Sequence, residues 1–311
     1  MSLHPSRRQF LGTTAALTAM GLIGVKPVWA ANAPAKPQLK LAVKYGMIGG
    51  KGSVREKFEL IKKIGFEGVE LDSPMDIDRP EVVAARDVTG IDIHGVVDSI
   101  HWKDTLSSPD EAVRARGVEG LKTAITDCKT YSGTTVLLVP GVVNKEVTYD
   151  QAWERSQAEV RKILPMVKEA GVKLAIEVVW NNFITKPEQL VQYIDEFESD
   201  SVGAYFDCSN MLKYGVPAAE WIRQLGKRML KIDFKGYHIP TSKWVNIGDG
   251  SEDWPEVLKA LNEVGYHGWA TAEVAGGGEE RLRDVYDRMC KALEIKKPET
   301  KQDVNAAEKK S

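Results

Sequence analysis

Four acidic residues stand late in four consecutive apolar runs. They are Glu177 in Lys173-Leu-Ala-Ile-Glu-Val-Val, Asp207 in Val202-Gly-Ala-Tyr-Phe-Asp-Cys, Asp233 in Leu230-Lys-Ile-Asp-Phe-Lys and Glu273 in Trp269-Ala-Thr-Ala-Glu-Val. A carboxylate in such a run is costly to bury unless it is paired or holds a cation. Asp and Glu are seldom fully buried. One such acid alone reads as a salt-bridge or capping residue, but four in succession point to a metal site or to catalysis. An oxygen-rich donor set with little histidine and no suitable cysteine favours Mn²⁺ or Mg²⁺ over Zn²⁺. Alternation along a strand puts Lys231, Asp233 and Lys235 on one face.

Other residues have weaker claims. His94 closes the run Ile91-Asp-Ile-His, and substrate contact at the mouth weighs evenly there against a structural role. His101-Trp102 on the following loop is a fainter version of the same signal. Glu70 closes Val69-Glu-Leu and would orient substrate or cap a loop. Trp180 and Asn182 follow Glu177 directly, and an aromatic face beside an amide makes a sugar platform, unless Trp180 simply closes the core. His267 precedes the last run and reads as structural.

The elements that must carry these residues repeat one grammar: amphipathic helix, glycine stop, short apolar strand. It recurs at 58–71, 163–179 and 257–274, with Gly65, Gly171 and Gly265 as the stops. Strands are expected at 39–48, 68–73, 91–98, 134–140, 172–179, 202–208, 229–237 and 268–275. Helices fill the gaps at 53–64, 80–88, 110–130, 149–169, 187–197, 217–226, 253–264 and 279–294. Strands alternating with helices imply parallel βαβ units. Eight units in one domain-sized stretch, 38–295, predict a single-domain α/β fold, the (β/α)8 TIM barrel, whose active site lies at the C-terminal strand ends. An open doubly wound sheet would usually carry a phosphate loop after its first strand. Gly46-Met-Ile-Gly-Gly-Lys-Gly52 matches neither such fingerprint and reads as a loop at the barrel mouth.

The chain resembles the xylose-isomerase-like barrels, a group of sugar isomerases and epimerases that includes ketose 3-epimerases and hydroxypyruvate isomerase. The likeness runs over most of 40–290. It is sharpest at Ala175-Ile-Glu-Val-Val-Trp-Asn-Asn-Phe183, Tyr205-Phe-Asp-Cys-Ser-Asn210, Gly248-Asp-Gly-Ser-Glu-Asp-Trp254 and Gly265-Tyr-His-Gly-Trp-Ala-Thr-Ala-Glu273. The epimerases bind a metal through Glu, Asp, His and Glu from successive strand ends. The resemblance therefore implies Glu177, Asp207 and Glu273 as ligands, with Glu177 and Glu273 doubling as the acid/base pair. Asp233 stands where the family has His, so either Asp233 completes the set or His238 reaches in from the next loop. The implied chemistry is metal-assisted enolisation of a keto-sugar, with the proton taken and returned by carboxyl groups. Lys235 would stabilise the enediolate oxygen or simply pair with Asp233. The same enediolate could expel a β-glycosidic oxygen, which makes a 3-keto-glycoside lyase or hydrolase the alternative.

Bulk properties narrow the field. Ser6-Arg-Arg-Gln-Phe-Leu11, an apolar run to Val25 and small residues near Ala30 have the order of a twin-arginine export signal, assigned to 1–33. The expected location is therefore the periplasm or the exterior, with no stable membrane anchor. Residues 1–31 hold Arg7, Arg8 and Lys26 and no acid, so their removal makes the formal charge of −2 more negative. That balance excludes an electrostatic footprint for nucleic acid. A nuclease like endonuclease IV, with its histidine-rich zinc site, is disfavoured because the mature chain holds only His94, His101, His238 and His267. A non-catalytic periplasmic sugar-binding protein remains an alternative, motivated by Asp233 in place of His. Cys128, Cys208 and Cys290 read as buried free thiols, and the Lys/Glu-rich tail 296–311 reads as disordered. Similar proteins form dimers or tetramers, so the resemblance alone implies a homo-oligomer, and the expected small-molecule partner is a sugar.

Overall fold

Ser53 and Glu56 close the N-terminus of the first helix reciprocally, each side chain bonding the other's backbone N–H, and Gly65 ends that helix at φ 124°. Between these stops Val54, Phe58, Ile61 and Ile64 fall on one buried face. The computed structural model describes residues 38–295, and this pattern of cap, apolar face and glycine stop recurs through it. Thr148 and Gln151 form a second capping box, and the helix they open ends at Gly171, φ 72°. The expected export segment 1–33 and polar tail 296–311 lie outside the described residues.

The order of elements is β1 (Leu39–Lys44), α1 (Val54–Ile64), β2 (Gly68–Ser73), α2 (Arg79–Thr89), β3 (Asp92–Asp98), α3 (Glu111–Thr130), β4 (Thr135–Leu138), α4 (Tyr149–Ala170), β5 (Lys173–Glu177), α5 (Pro187–Asp195), β6 (Val202–Asp207), α6 (Ala218–Leu225), β7 (Met229–Phe234), β8 (Tyr237–His238), β9 (Lys243–Trp244), α7 (Trp254–Glu263), β10 (Gly268–Ala272) and α8 (Glu279–Ala292). Among the described residues eight parallel strands close in the order β1-β10-β7-β6-β5-β4-β3-β2, while β8 and β9 form a separate antiparallel hairpin. This is the (β/α)8 barrel expected from the sequence.

Several strands are shorter than their apolar runs. Tyr45–Met47 leave the ladder as a 3₁₀ turn, and Val178-Val179 and Val274-Ala275 have also left it. The seventh run, expected to 237, stops at Phe234 and gives way to the hairpin. Apolar residues beyond the last paired position close the mouth rather than extend the sheet. Most of the core lies between sheet and helices, and a second cluster of Leu137, Ala175 and Tyr205 fills the barrel interior. Cys128, Cys208 and Cys290 are buried and form no disulfide.

Candidate metal centre at the mouth of the barrel

Early termination of the strands sets the depth of the four acids. Glu177 and Asp207 are the last residues of β5 and β6, Asp233 is the penultimate residue of β7, and Glu273 follows β10. One carboxylate oxygen from each lies within 4.8 Å of the others. Asp207 and Asp233 are fully buried, Glu177 is nearly so, and the Glu273 side chain is 38% exposed. Asp207 is fixed through one oxygen, Oδ1, which accepts from the Ser209 and Asn210 backbone N–H groups at 2.8 and 2.7 Å. The Asn210 amide also donates to Glu177 Oε1 at 3.5 Å.

Two lysines interleave with the acids. Lys235 Nζ sits 3.0 Å from both Asp207 Oδ2 and Glu273 Oε2. Lys44 Nζ, at the end of β1, sits 2.9 Å from Asp233 Oδ2 and also pairs with Glu70. These contacts are ion pairs without hydrogen-bond alignment at Asp207 Oδ2 and Asp233 Oδ2, which are buried and receive no directed donor. Beneath them the Tyr205 hydroxyl lies 2.9 Å from Asp233 Oδ1 and 3.2 Å from both Glu70 Oε2 and Thr271 Oγ1. Thr271 in turn lies 3.2 Å from His94 Nε2.

The electrostatics follow from this crowding. Burial, reinforced by the charge of Glu273, pushes the Glu177 carboxyl up to about 8. Burial also raises Asp233 well above the carboxylate range, against the pull of Lys44, and Glu273 and Glu70 raise it further. Glu273 resists burial because Lys44 and Lys235 hold it low, and it shares a hydrogen bond with Asp233. Burial opposes the ammonium of Lys44, yet Asp233 and Glu70 keep its pKa above the usual value. Carboxyls this close cannot all ionise unaided. Two undirected buried oxygens and an all-carboxylate donor set fit a hard divalent cation.

The centre opens into a cavity of about 780 Å³ lined by Lys235, Glu273, Trp244, Asn246, Asp249 and Arg281, among others. Trp244, on β9, is 49% exposed and stacks on Trp180 with centroids 4.9 Å apart and planes at 23°. Trp180 is anchored by its indole N–H, which donates to the Asn210 carbonyl at 2.8 Å.

Glu177, Asp207, Asp233, Glu273 and Lys235 come together as their strand positions implied, and Trp180 stands at the rim. Four residues stand elsewhere than expected. His94 is the third residue of β3, not its last. It is buried and stacks on Trp269 at 4.8 Å, and burial drives its pKa well down. Glu70 is likewise mid-strand and belongs to the buried network under the site. Asn182 is exposed with φ 58°, while the buried amide of that loop is Asn181, which donates to the Gly141 carbonyl at 2.6 Å. His238 does not join the acid cluster. Its Nδ1 lies 2.8 Å from Thr241 Oγ1 in the hairpin, and Asp233 takes the fourth place. Sequence reasoning missed Lys44, Tyr205, Asn210 and Trp244. Tyr205 was accessible from alternation, since it sits two residues before Asp207 in β6.

The chain matches the xylose isomerase-like TIM barrel family over residues 58–294 and belongs to it. It is 30% identical to an L-ribulose 3-epimerase of Mesorhizobium japonicum over 169 residues, a stretch covering 52% of this chain and 54% of that enzyme. It is 24% identical over 256 residues to an L-ribulose-5-phosphate 3-epimerase of Escherichia coli, covering 76% and 90%. Among solved structures it superposes on the 3-keto-D-glucoside 4-epimerase of E. coli with a TM-score of 0.71 at 16% identity, covering 82% of this chain and 99% of that one. It also superposes on IolI, solved with a bound zinc atom, with a TM-score of 0.71 at 18% identity, covering 82% and 98%. These relatives are sugar epimerases by name where an activity is named, and the two structural likenesses show the fold.

Proposed function

We propose that the protein is a sugar epimerase or isomerase working by enolisation of a keto-sugar at the four-carboxylate centre, with a divalent cation as cofactor. The observation that carries this reading is the convergence of Glu177, Asp207, Asp233 and Glu273 from four neighbouring barrel strands to within 4.8 Å. The names of the curated relatives, L-ribulose 3-epimerase and L-ribulose-5-phosphate 3-epimerase, support the reaction class. Glu177, Asp207, Asp233 and Glu273 would hold the cation, which would supply Lewis acidity to a bound carbonyl.

The rest of the chemistry belongs to the chain. Glu177 ends β5 and Glu273 follows β10, with β6 and β7 between them, so the two carboxyls reach the mouth from either side of Asp207 and Asp233. One carboxyl removes the proton α to the carbonyl. The other returns a proton to the opposite face, which epimerises, or to the adjacent carbon, which isomerises. Lys235 holds positive charge beside Glu273 and Asp207 and offsets the negative charge that develops on the enediolate oxygen. The twin-arginine pattern at 6–11 supports work in the periplasm on a sugar that need not be phosphorylated.

The test is solvent exchange. A panel of ketopentoses, ketohexoses and 3-keto-glycosides is incubated with Mn²⁺-supplied protein in D₂O and read by NMR. The expected result is deuterium at the carbon next to the carbonyl for at least one sugar, lost in Glu177→Gln. Absence of exchange across the panel, with Mn²⁺ or Mg²⁺ present, overturns the reading.

A further inference from the structure

Resting on that reading of the centre, we propose that Trp244 forms a second subsite beside it, one that takes the ring attached to the reacting sugar, so that the preferred substrate is a glycoside. Trp244 lies on the two-residue strand β9, nine residues beyond Lys235 and outside the barrel ladder. Yet it lines the same cavity as Lys235 and Glu273. At about 780 Å³ the space falls toward the upper end of the range for drug-sized ligands, roughly 300–1,000 Å³. A single monosaccharide bound at the acids leaves the outer part of such a cavity free.

The composition of that outer part selects its occupant. Trp180 stacks on Trp244, Tyr237 lies tilted against it at 5.2 Å and Lys235 Nζ lies 5.5 Å from its ring centroid, yet the residue is 49% exposed. A half-exposed indole in a cavity wall packs against the C–H face of a pyranose or against an aromatic aglycone. The two cations that line the cavity are held by acids. Lys235 bridges Asp207 and Glu273. Arg281 donates to the Ala275 carbonyl at 2.9 Å and pairs with Asp284 at 2.5 Å. Asp249, on the same wall, is itself paired with Arg288 at 2.9 Å. This end of the cavity therefore suits a neutral ring rather than a phosphate. The platform is also tied to the reacting end. Trp180 Nε1 bonds the Asn210 carbonyl at 2.8 Å, and Asn210 reaches Glu177 and binds Asp207 through its N–H.

The experiment measures binding by calorimetry for methyl and phenyl glycosides of gluco, galacto and manno configuration, and for the corresponding sugar 6-phosphates. In the wild type the phenyl glycoside of at least one configuration should bind about ten-fold tighter or more than its methyl counterpart. Trp244→Ala should bring that ratio close to one, and Trp244→Phe should keep part of the gain. Val88→Ala, an exposed position at the C-terminal end of α2, should change nothing. The subsite is overturned by a ratio near one in the wild type for all three sugars, by a gain that survives Trp244→Ala, by tightest binding of a phosphate, or by no glycoside binding. Deuterium exchange into ketoses separates the two ideas. Exchange without an aryl gain sinks the subsite alone, and an aryl gain without exchange sinks the epimerase reading alone.

Discussion

Each buried charge at the centre is tolerable only because of its neighbours, and single substitutions read that dependence directly. Lys44 holds Asp233 and Glu70 together. Removing one partner of a buried pair leaves uncompensated charge, which costs about 3–5 kcal/mol. Lys44→Met should therefore lower stability by that order in urea unfolding. Glu70→Gln in the same chain should recover part of the loss, because one stranded carboxylate is gone, and full additivity of the two changes would refute the network. Glu177→Gln behaves differently. It removes a carboxyl that burial already pushes up to about 8, so in metal-free protein its thermal midpoint should hold or rise, while solvent exchange in Mn²⁺-supplied protein falls by about 10²–10⁴, the range for general acid–base groups. Asp98, at the end of β3, gives a pH signature away from the centre. Burial pushes its carboxyl up to about 7, against the opposing pull of the Ile100 backbone N–H. In the unfolded chain the value is near 3.9. The folded state therefore keeps the proton longer. The contribution of Asp98 is most favourable below about pH 4, is lost progressively as pH rises toward 7, and is flat above that. Asp98→Asn should stabilise the protein by a few kcal/mol at pH 8 and hardly at all at pH 4, measured as the difference in unfolding free energy between the two chains. An equal effect at both pH values would contradict the burial account.

At the scale of elements, the active geometry depends on where strands stop and on a hairpin that hugs the barrel. Gly236 joins β7 to that hairpin. A Cβ built there would overlap the Asn246 carbonyl oxygen and press on Val245, and Val245 N–H donates to the Gly236 carbonyl at 2.8 Å. Gly236→Ala should push the β9 arm, with Trp244, off its seat. The expected cost is about 1–3 kcal/mol of stability, with weakened sugar binding. Gly46→Ala, whose Cβ meets nothing within 4 Å, is the control and should be near wild type in both. The same elements explain what was legible in the sequence. The eight barrel strands and eight helices declare themselves through period, several helices through glycine stops as well, and four acids at the ends of apolar runs mark the centre. The hairpin did not, because two-residue strands are too short to show alternation. His94 and Glu70 were misjudged for a related reason: an acid or histidine interrupts an apolar run, but Val96 and Leu71 show that both strands continue beyond it. Lys44 carried no signal of its own, being one of 42 basic residues in the chain. Only closure of the barrel brings β1 and β7 close enough, across β10, for it to meet Asp233.

For the whole molecule, the closed barrel would make a cation bound at the proposed centre a determinant of stability as well as of chemistry. The acids come from β5, β6, β7 and the end of β10, strands adjacent around the wall, so whatever binds them ties half the barrel together. Buried carboxyls sharing a proton are a cost in the metal-free protein, since burial and like charge both oppose their ionisation. A ligand that binds the folded state alone stabilises it by RT ln(1 + [L]/Kd), about 2.7 kcal/mol at a hundredfold excess over Kd. For a domain of this size that is a rise in thermal midpoint of about 5–10 °C. Chelation should lower the midpoint of protein purified with Mn²⁺ by that order, and added Mn²⁺ or Mg²⁺ should restore it. In a Glu177→Gln, Asp207→Asn double variant neither treatment should move the midpoint, because two of the four donors are gone while Lys44 and Lys235 remain. A wild-type midpoint indifferent to chelator and to Mn²⁺ would mean that Lys44 and Lys235 neutralise the acids by themselves, leaving a lysine-balanced pocket that binds sugar without metal.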